Sequence, residues 1–413
     1  MNQESATATQ SVADDAPHFS IPPLLPVTQR ILVPEIIGAI LDALINIMGS
    51  NKNAAMIDRQ LLKVAQCSRL FQEEAERRLY AYVKFTVGTS RAAKIAAVLR
   101  SRTARYLRVL HVMEYGDERS FRDNNMSTVA GLPFELMTGL KEMEIHFAYG
   151  PSAYIKKPLD ERLFQILRRD LPENTLQVFR CARPLNRSSI RFLYRQRTLE
   201  ELLIKLNAFE PNATEVLVDR MDFPNLSMIV ASPIEHPSLC WILQRSDIQY
   251  LTPLETFSII PPWSSFSQQL ITLDVAHCQA LDPKIVKEIV NSSPRLRLLM
   301  LKLNHLWEEK NINVFDTLRR LANLEVLGLL PDPTTFNSYF NSIVGQVNDC
   351  EALQNLAIVV PIDGPNEYFG VEMTKSKRRG WTQKPTGAVD IISWKAEHVG
   401  RIEMSRKKAS ASA

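Results

Sequence analysis

One short spacing, Leu-x-x-Leu-x-Leu and near variants of it, returns along most of this chain and limits its fold more than any other feature. It stands at Leu107 (LRVLHV), Leu140 (LKEMEI), Leu176 (LQVF), Leu199 (LEELLIKLN), Leu254 (LETFSI), Leu270 (LITLDVAHC), Leu296 (LRLLMLKLN), Leu324 (LEVLGL) and Leu353 (LQNLAI). Side chains alternate along a strand, so the last two apolar positions of each motif share one face. Each strand is expected to begin at the leading Leu. The final spacings, Leu270 to Leu296, Leu324 and Leu353, are 26, 28 and 29 residues. Leu254 and Leu270 stand only 16 apart, so the array is irregular.

Between these strands the apolar period becomes helical. Asp282 to Ser293 opens on an N-cap Asp and a first-turn Pro, with Ile285, Val286, Ile289 and Val290 on one face. Residues 159–171 and 313–324 behave alike. Strand, loop and helix at this period predict an α/β fold of the leucine-rich-repeat kind over residues 89–360: a solenoid curved into a horseshoe because helices are wider than strands. In LLMLKLN, Leu299 and Leu301 then point into the core, and Met300 and Lys302 point onto the concave sheet. The same surface takes His111, Met113, Glu144, His146, Lys205 and Asp274. These eight mixed side chains suit a protein target better than one small ligand. His277-Cys278 falls where a Cys or Asn bonds the turning backbone in such repeats, as does Asn304.

The ends differ from the array. Residues 1–20 are rich in Ser, Thr, Ala and Gln and read as disordered. Residues 21–88 read as a small domain of three helices. The first begins near Pro34, with Ile36, Ile37, Ile40, Leu41, Leu44 and Met48 in one stripe; the second carries Leu61 and Leu62; the third is capped by Ser68 and carries Phe71, Ala75 and Leu79. So short a unit buries little alone and needs a neighbour or a partner. Residues 361–413 read as a loop to 387, one amphipathic helix over 388–406 with Val389, Ile392, Ala396 and Val399 aligned, and a basic tail.

Several function classes find no support. The 49 basic and 45 acidic residues leave a net charge of +4, too balanced to make nucleic acid or a membrane surface the main partner. Five scattered cysteines suggest reduced thiols and a cytoplasmic or nuclear protein. Neither a secretory signal nor a membrane span is expected. The chain has no phosphate-cradling glycine motif, no nucleophile elbow and no zinc-binding His pair, so neither a cofactor nor catalysis is expected.

The front piece resembles the F-box. Val33-Pro34-Glu35-Ile36-Ile37 match its opening, Cys67-Ser68-Arg69-Leu70-Phe71 its second signature and Leu79-Tyr80 its close. The whole chain is similar to the fungal F-box proteins with irregular leucine-rich repeats, including their Asp…Trp…Ala-Glu helix near the end (Asp390, Trp394, Ala396, Glu397). The resemblance implies a non-catalytic substrate receptor of an SCF-type ubiquitin ligase. Pro34, Ile36, Ile37, Leu62 and Phe71 would face or brace a Skp-family adaptor, and a cullin would be reached through that adaptor. The repeats would hold the target. The alternative is a leucine-rich-repeat scaffold whose F-box has degenerated and which plays no ligase role.

Overall fold

The computed structural model describes residues 34–49, 54–87, 89–114, 131–147, 158–184, 187–205, 223–232, 242–253, 263–276, 278, 281–303, 314–331, 350–361, 368–376, 380–384 and 387–411. The chain divides into two compact units with the boundary between Ala75 and Glu76.

The first unit is helical. Helix α1 (Pro34–Gly49) opens on a proline, whose missing N–H is no loss at a first helical position, and Glu35 follows in the turn where a negative charge suits the helix dipole. It packs with α2 (Ala54–Val64), and α3 (Arg69–Leu79) runs from the end of this unit into the next. Ser68 caps α3 as the sequence predicts, its Oγ accepting the Phe71 N–H at 3.3 Å. Ile37, Leu41, Leu61 and Ala75 are buried.

The second unit is one open α/β sheet. Strands β1 (Tyr82–Thr86), β2 (Val109–Glu114), β3 (Glu142–Phe147), β4 (Val178–Pro184), β5 (Glu201–Lys205), β6 (Met228–Ser232), β7 (Tyr250–Pro253), β8 (Thr272–Asp274), β9 (Leu298–Lys302), β10 (Val326–Leu330) and β11 (Asn355–Pro361) lie side by side in chain order, each parallel to the one before. Parallel neighbours need a crossover rather than a hairpin. Helices Ser90–Val98, Pro158–Asp170, Arg187–Leu193, Pro283–Ser292 and Val314–Leu318 lie within these connections. Asp282 caps one of them, accepting the Lys284 N–H at 2.8 Å.

Two repeated devices fix the register. At every parallel junction, one carbonyl ahead of a strand accepts two consecutive N–H groups from the start of the next. Arg108 O takes those of Lys141 and Glu142 at 2.8 and 3.0 Å, and Ile271 O those of Arg297 and Leu298 at the same distances. The leading Leu of most motifs closes a tight turn, donating to the carbonyl three residues back (Leu140 to Met137, Leu296 to Ser293, Leu353 to Cys350), with its side chain fully buried. At Leu176 a side chain replaces that turn. Gln196 Oε1 accepts the N–H groups of Thr175 and Leu176 at 3.0 and 3.1 Å, and its Nε2 donates to Pro172 O at 3.0 Å. Asn174 beside it adopts φ of 56° and accepts the Arg197 N–H at 2.9 Å, which suits its short polar side chain to the left-handed region.

The two faces of the sheet carry separate clusters. The motif leucines and the crossover helices make one continuous core, including Leu110, Val112, Phe179, Leu202, Leu299, Leu301, Leu327 and Leu356. Cys278 joins it, and its thiol donates to Pro253 O at the end of β7 at 3.6 Å, the backbone role expected of that position. His277 and Asn304 lie outside the described residues.

Three expectations change. β1 belongs with the sheet, not with the helical front piece, because it pairs β2 in register from Tyr82↔Val109 to Thr86↔Met113. Ahead of the motif at Leu254 stands a strand the motif did not mark, β7, fed by the buried Ile248 six residues before that leucine; residues 254–259 lie outside the described ones. Residues 361–387 are not simply a loop. They contain β12 (Tyr368–Ser376), antiparallel to β11, with β13 (Gly380–Gln383) and β14 (Gly387–Val389) paired to it. Gly370 permits this, since a Cβ there would fall 2.0 Å from Ile358 O.

The buried glutamine gives a direct test. Gln196→Leu leaves two backbone donors without their acceptor and should lower unfolding stability by about 2–3 kcal/mol in denaturant titration. Asn174→Gly should cost no more than a few tenths, and Asn174→Ala about 1 kcal/mol.

Candidate interaction surfaces

Three surfaces have the chemistry to meet something else. The first is on the helical unit. Pro34, Ile36 and Leu62 are exposed, Ile36 and Leu62 by about half of their surface (50% and 52%). Phe71 is half-buried. Ile37, at 1%, is buried and offers no side-chain surface, so within the expected set it braces the exposed residues rather than meeting a partner. Ile40, Met56 and Leu70 are exposed at 48%, 42% and 41%; the sequence places Ile40 in the first stripe and Leu70 in the second F-box signature, but none of the three was among the expected contacts. Their signal was there: α1 carries more apolar residues than one buried stripe uses.

The second surface is the sheet face opposite the leucine core, over β1 to β5. Register brings Lys84, His111, Glu144 and Arg180 into one row and Tyr82, Glu142 and Glu201 into the next. Tyr82 Oη lies 3.1 Å from His111 Nδ1, and with the hydroxyl donating, Nε2 faces Glu144 Oε2 at 3.2 Å. His146 Nε2 reaches the other Glu144 oxygen at 2.5 Å. Arg180 ties the rows together, with Nη1 2.5 Å from Glu142 and Nε 2.7 Å from Glu201. Burial alone would lower the Arg180 pKa; the hydrogen bond and charge of Glu201, with Glu142 and Glu144, outweigh it and raise the pKa above its usual value. His111 Nε2, Glu142 and Glu144 also place ligand atoms within 4.8 Å of one another, but the guanidinium already supplies the positive charge there.

This patch gathers four of the eight expected target contacts: His111, Met113, Glu144 and His146. Met113 is half-buried at its rim, opposite Thr86 and His146. The side chain of Lys205 lies outside the described residues, and Lys302 is exposed at the end of β9.

Asp274 and Met300 do not offer free surface, and this expectation is corrected. They are 2% and 1% exposed because a third element covers this part of the sheet. The C-terminal helix (Ile391–Ala411) lays Ile391, Trp394 and Ile402 onto Ile271, Leu298, Met300, Val326, Ala357 and Val359. Lys395 pairs with Asp274 and lies 3.5 Å from Thr252 Oγ1; Arg406 Nη1 donates to Gln249 Oε1 at 2.5 Å. The expected stripe of this helix is out of phase: Ile392 and Ala396 are exposed. His398 is buried against Trp394, ring centroids 4.5 Å apart. Burial and the neighbouring Arg401 hold its pKa below the ordinary 6.5, outweighing Glu397 and Glu372, while Lys384 adds to the lowering.

Both polar sites make predictions. Arg180→Met leaves three glutamates facing one another and should destabilise the chain by about 1–3 kcal/mol, and Arg180→Lys should recover only part of that, because an ammonium lacks the fork that spans both rows. Because the pKa of His398 is depressed when folded, its neutral form supports the fold above pH 6.5, and that support is lost as pH falls from there towards the folded value. His398→Leu should therefore flatten the fall in denaturation midpoint between pH 7.5 and 5.

No helix among the described residues is long and apolar enough to cross a membrane. No family model matches the chain and no curated protein matches it, so function has to be argued from these surfaces.

Proposed function

We propose that this chain is a non-catalytic substrate-recognition subunit of an SCF-type ubiquitin ligase. In this reading α1–α3 form an F-box that docks on a Skp-family adaptor and through it a cullin. The sheet and its crossovers form a curved leucine-rich-repeat solenoid that holds the target, and the protein works in the cytoplasm or nucleus. Its contribution to ubiquitin transfer is positional, holding target lysines close to the charged conjugating enzyme.

The observation that carries this reading is the apolar exposure of the helical unit. Five large side chains, Ile36, Ile40, Met56, Leu62 and Leu70, each leave two-fifths or more of their surface open within three short helices. Exposed apolar surface at that density is costly in water and marks a protein contact. Of the residues that match the F-box pattern, Pro34, Ile36 and Leu70 are exposed, Phe71 is half-buried and Ile37 is buried. The β1–β5 patch, half-buried and mixed in charge, supports a protein target.

The test is co-purification with a Skp-family adaptor. Wild type should recover the adaptor, and Ile36→Asp with Leu62→Asp should lose about tenfold or more of it, with thermal melting unchanged because both positions are exposed. Equal recovery by both would refute the assigned face. Failure of the wild type to bind would leave the scaffold reading.

A further inference from the structure

The covered strip of the sheet has the features of a binding site that is already full. Over β8 to β11 the face opposite the leucine core is apolar and shallow: Gly328 and Ala357 stand in its rows, and Met300 lies flat over Gly328, where a Cβ would meet its Sδ at 2.2 Å. The occupant is a single helical face. Ile391, Trp394, His398 and Ile402 follow one another at spacings of three, four and four, all buried, with Lys395 beside them on Asp274. This cluster shares no residue with the leucine core across the sheet. The strands therefore keep their own packing whether or not the helix is seated.

The contact is also imperfect in ways a permanent core is not. A cavity of about 290 Å³ lies where His398 and Ile402 of the helix approach Val326 and Asn355. The carboxylate of Asp274, almost without exposure, accepts the Ala276 N–H at 3.0 Å on one oxygen and relies for its counter-charge on a lysine 121 residues away at the other. A buried neutral imidazole sits in the middle of the helix face.

We propose that this strip is a helix-binding groove held closed by the chain's own C-terminal helix, and that an amphipathic helix of a partner protein exchanges with it. The partner helix would carry an aromatic anchor and a neighbouring basic side chain. The anchor takes the place of Trp394, and the basic group takes the place of Lys395 on Asp274. Helix-in-groove recognition uses this i, i+3, i+7 pattern of anchors. The exchange holds whether or not α1–α3 bind an adaptor, and no adaptor enters its test.

Two measurements on the full-length chain decide it. In native-state hydrogen exchange, amides of residues 391–406 should open about tenfold or more faster than those of β9 and β10, by a step short of global unfolding. Exchange of both at one common rate would overturn the proposal. In the second, a fluorescent peptide of residues 388–411 is titrated into three chains. Wild type, already occupied, should bind it weakly. Lys395→Glu, whose own helix is repelled by Asp274, should bind it at least about tenfold more tightly. Lys395→Glu with Asp274→Lys restores the pair in reverse and should exclude the peptide again. A folded Lys395→Glu chain that takes up no more peptide than wild type, or no more than a scrambled peptide, would overturn the proposal. Should that variant melt globally, the exchange rates of the wild type decide alone.

Discussion

The second unit stands on one hydrogen-bonding arrangement: a single carbonyl ahead of a strand that accepts two successive N–H groups from the start of the next strand, made anew at each junction from β1/β2 to β10/β11. A parallel strand cannot be placed by a tight hairpin, so its register has to be set by something beyond the connecting chain. Here each strand's register is set by the carbonyl ahead of its predecessor and by the buried Leu at its own entry turn. A slip of one residue would break both bonds and turn the motif leucines to the opposite face. That coupling explains why connections of very different length are tolerated: the Leu107-to-Leu140 segment and the much shorter Ile248-to-Leu270 segment both deliver their strand to the same place. Loop length costs little entropy once its ends are fixed.

With the leucines committed to one face, the other face is free to vary, and it divides in two. Over β1 to β5 it is ionic, with Arg180 reaching glutamates on both neighbouring strands and two histidines on Glu144. Over β8 to β11 it is apolar and roofed by the C-terminal helix. Half-buried charges that satisfy one another keep their side chains ordered while leaving the patch accessible. An apolar strip of this size left bare would invite unspecific association. The roof therefore has a physical reason whatever else it does.

How much of this the sequence disclosed follows from which residues can stand in for one another. Where Leu held all the motif positions, as at Leu296-Leu299-Leu301, strand and phase were both legible. β6 escaped because Ile229 and Ala231 replace the second and third leucines, and β7 escaped because Ile248 leads it and Pro253 ends it. β12 showed part of its alternation, Val371 and Met373 buried against half-buried Glu372 and exposed Thr374, but the charges among them disguised it as a loop. The Arg180 network was out of reach, since it joins residues 38 and 21 positions apart through a register that only the folded sheet defines. The front helices were legible as helices, yet which of two adjacent isoleucines would be buried was not: Ile36 and Ile37 differ by a rotation of 100° around the same helix.

The same rotation explains the C-terminal helix. Two apolar stripes compete along it: Val389, Ile392, Ala396 and Val399, or Ile391, Trp394, His398 and Ile402. Counting apolar residues favours the first. Weighing apolar area favours the second, because its indole offers more apolar surface than any side chain of the first. The helix turned to bury Trp394 and accepted a histidine in the stripe and an exposed Ile392 as the consequence. The direction of a helix face is thus decided by its largest side chain. In this chain that choice also sets Lys395 above Asp274, so the aromatic anchor and the buried ion pair are consequences of one rotation.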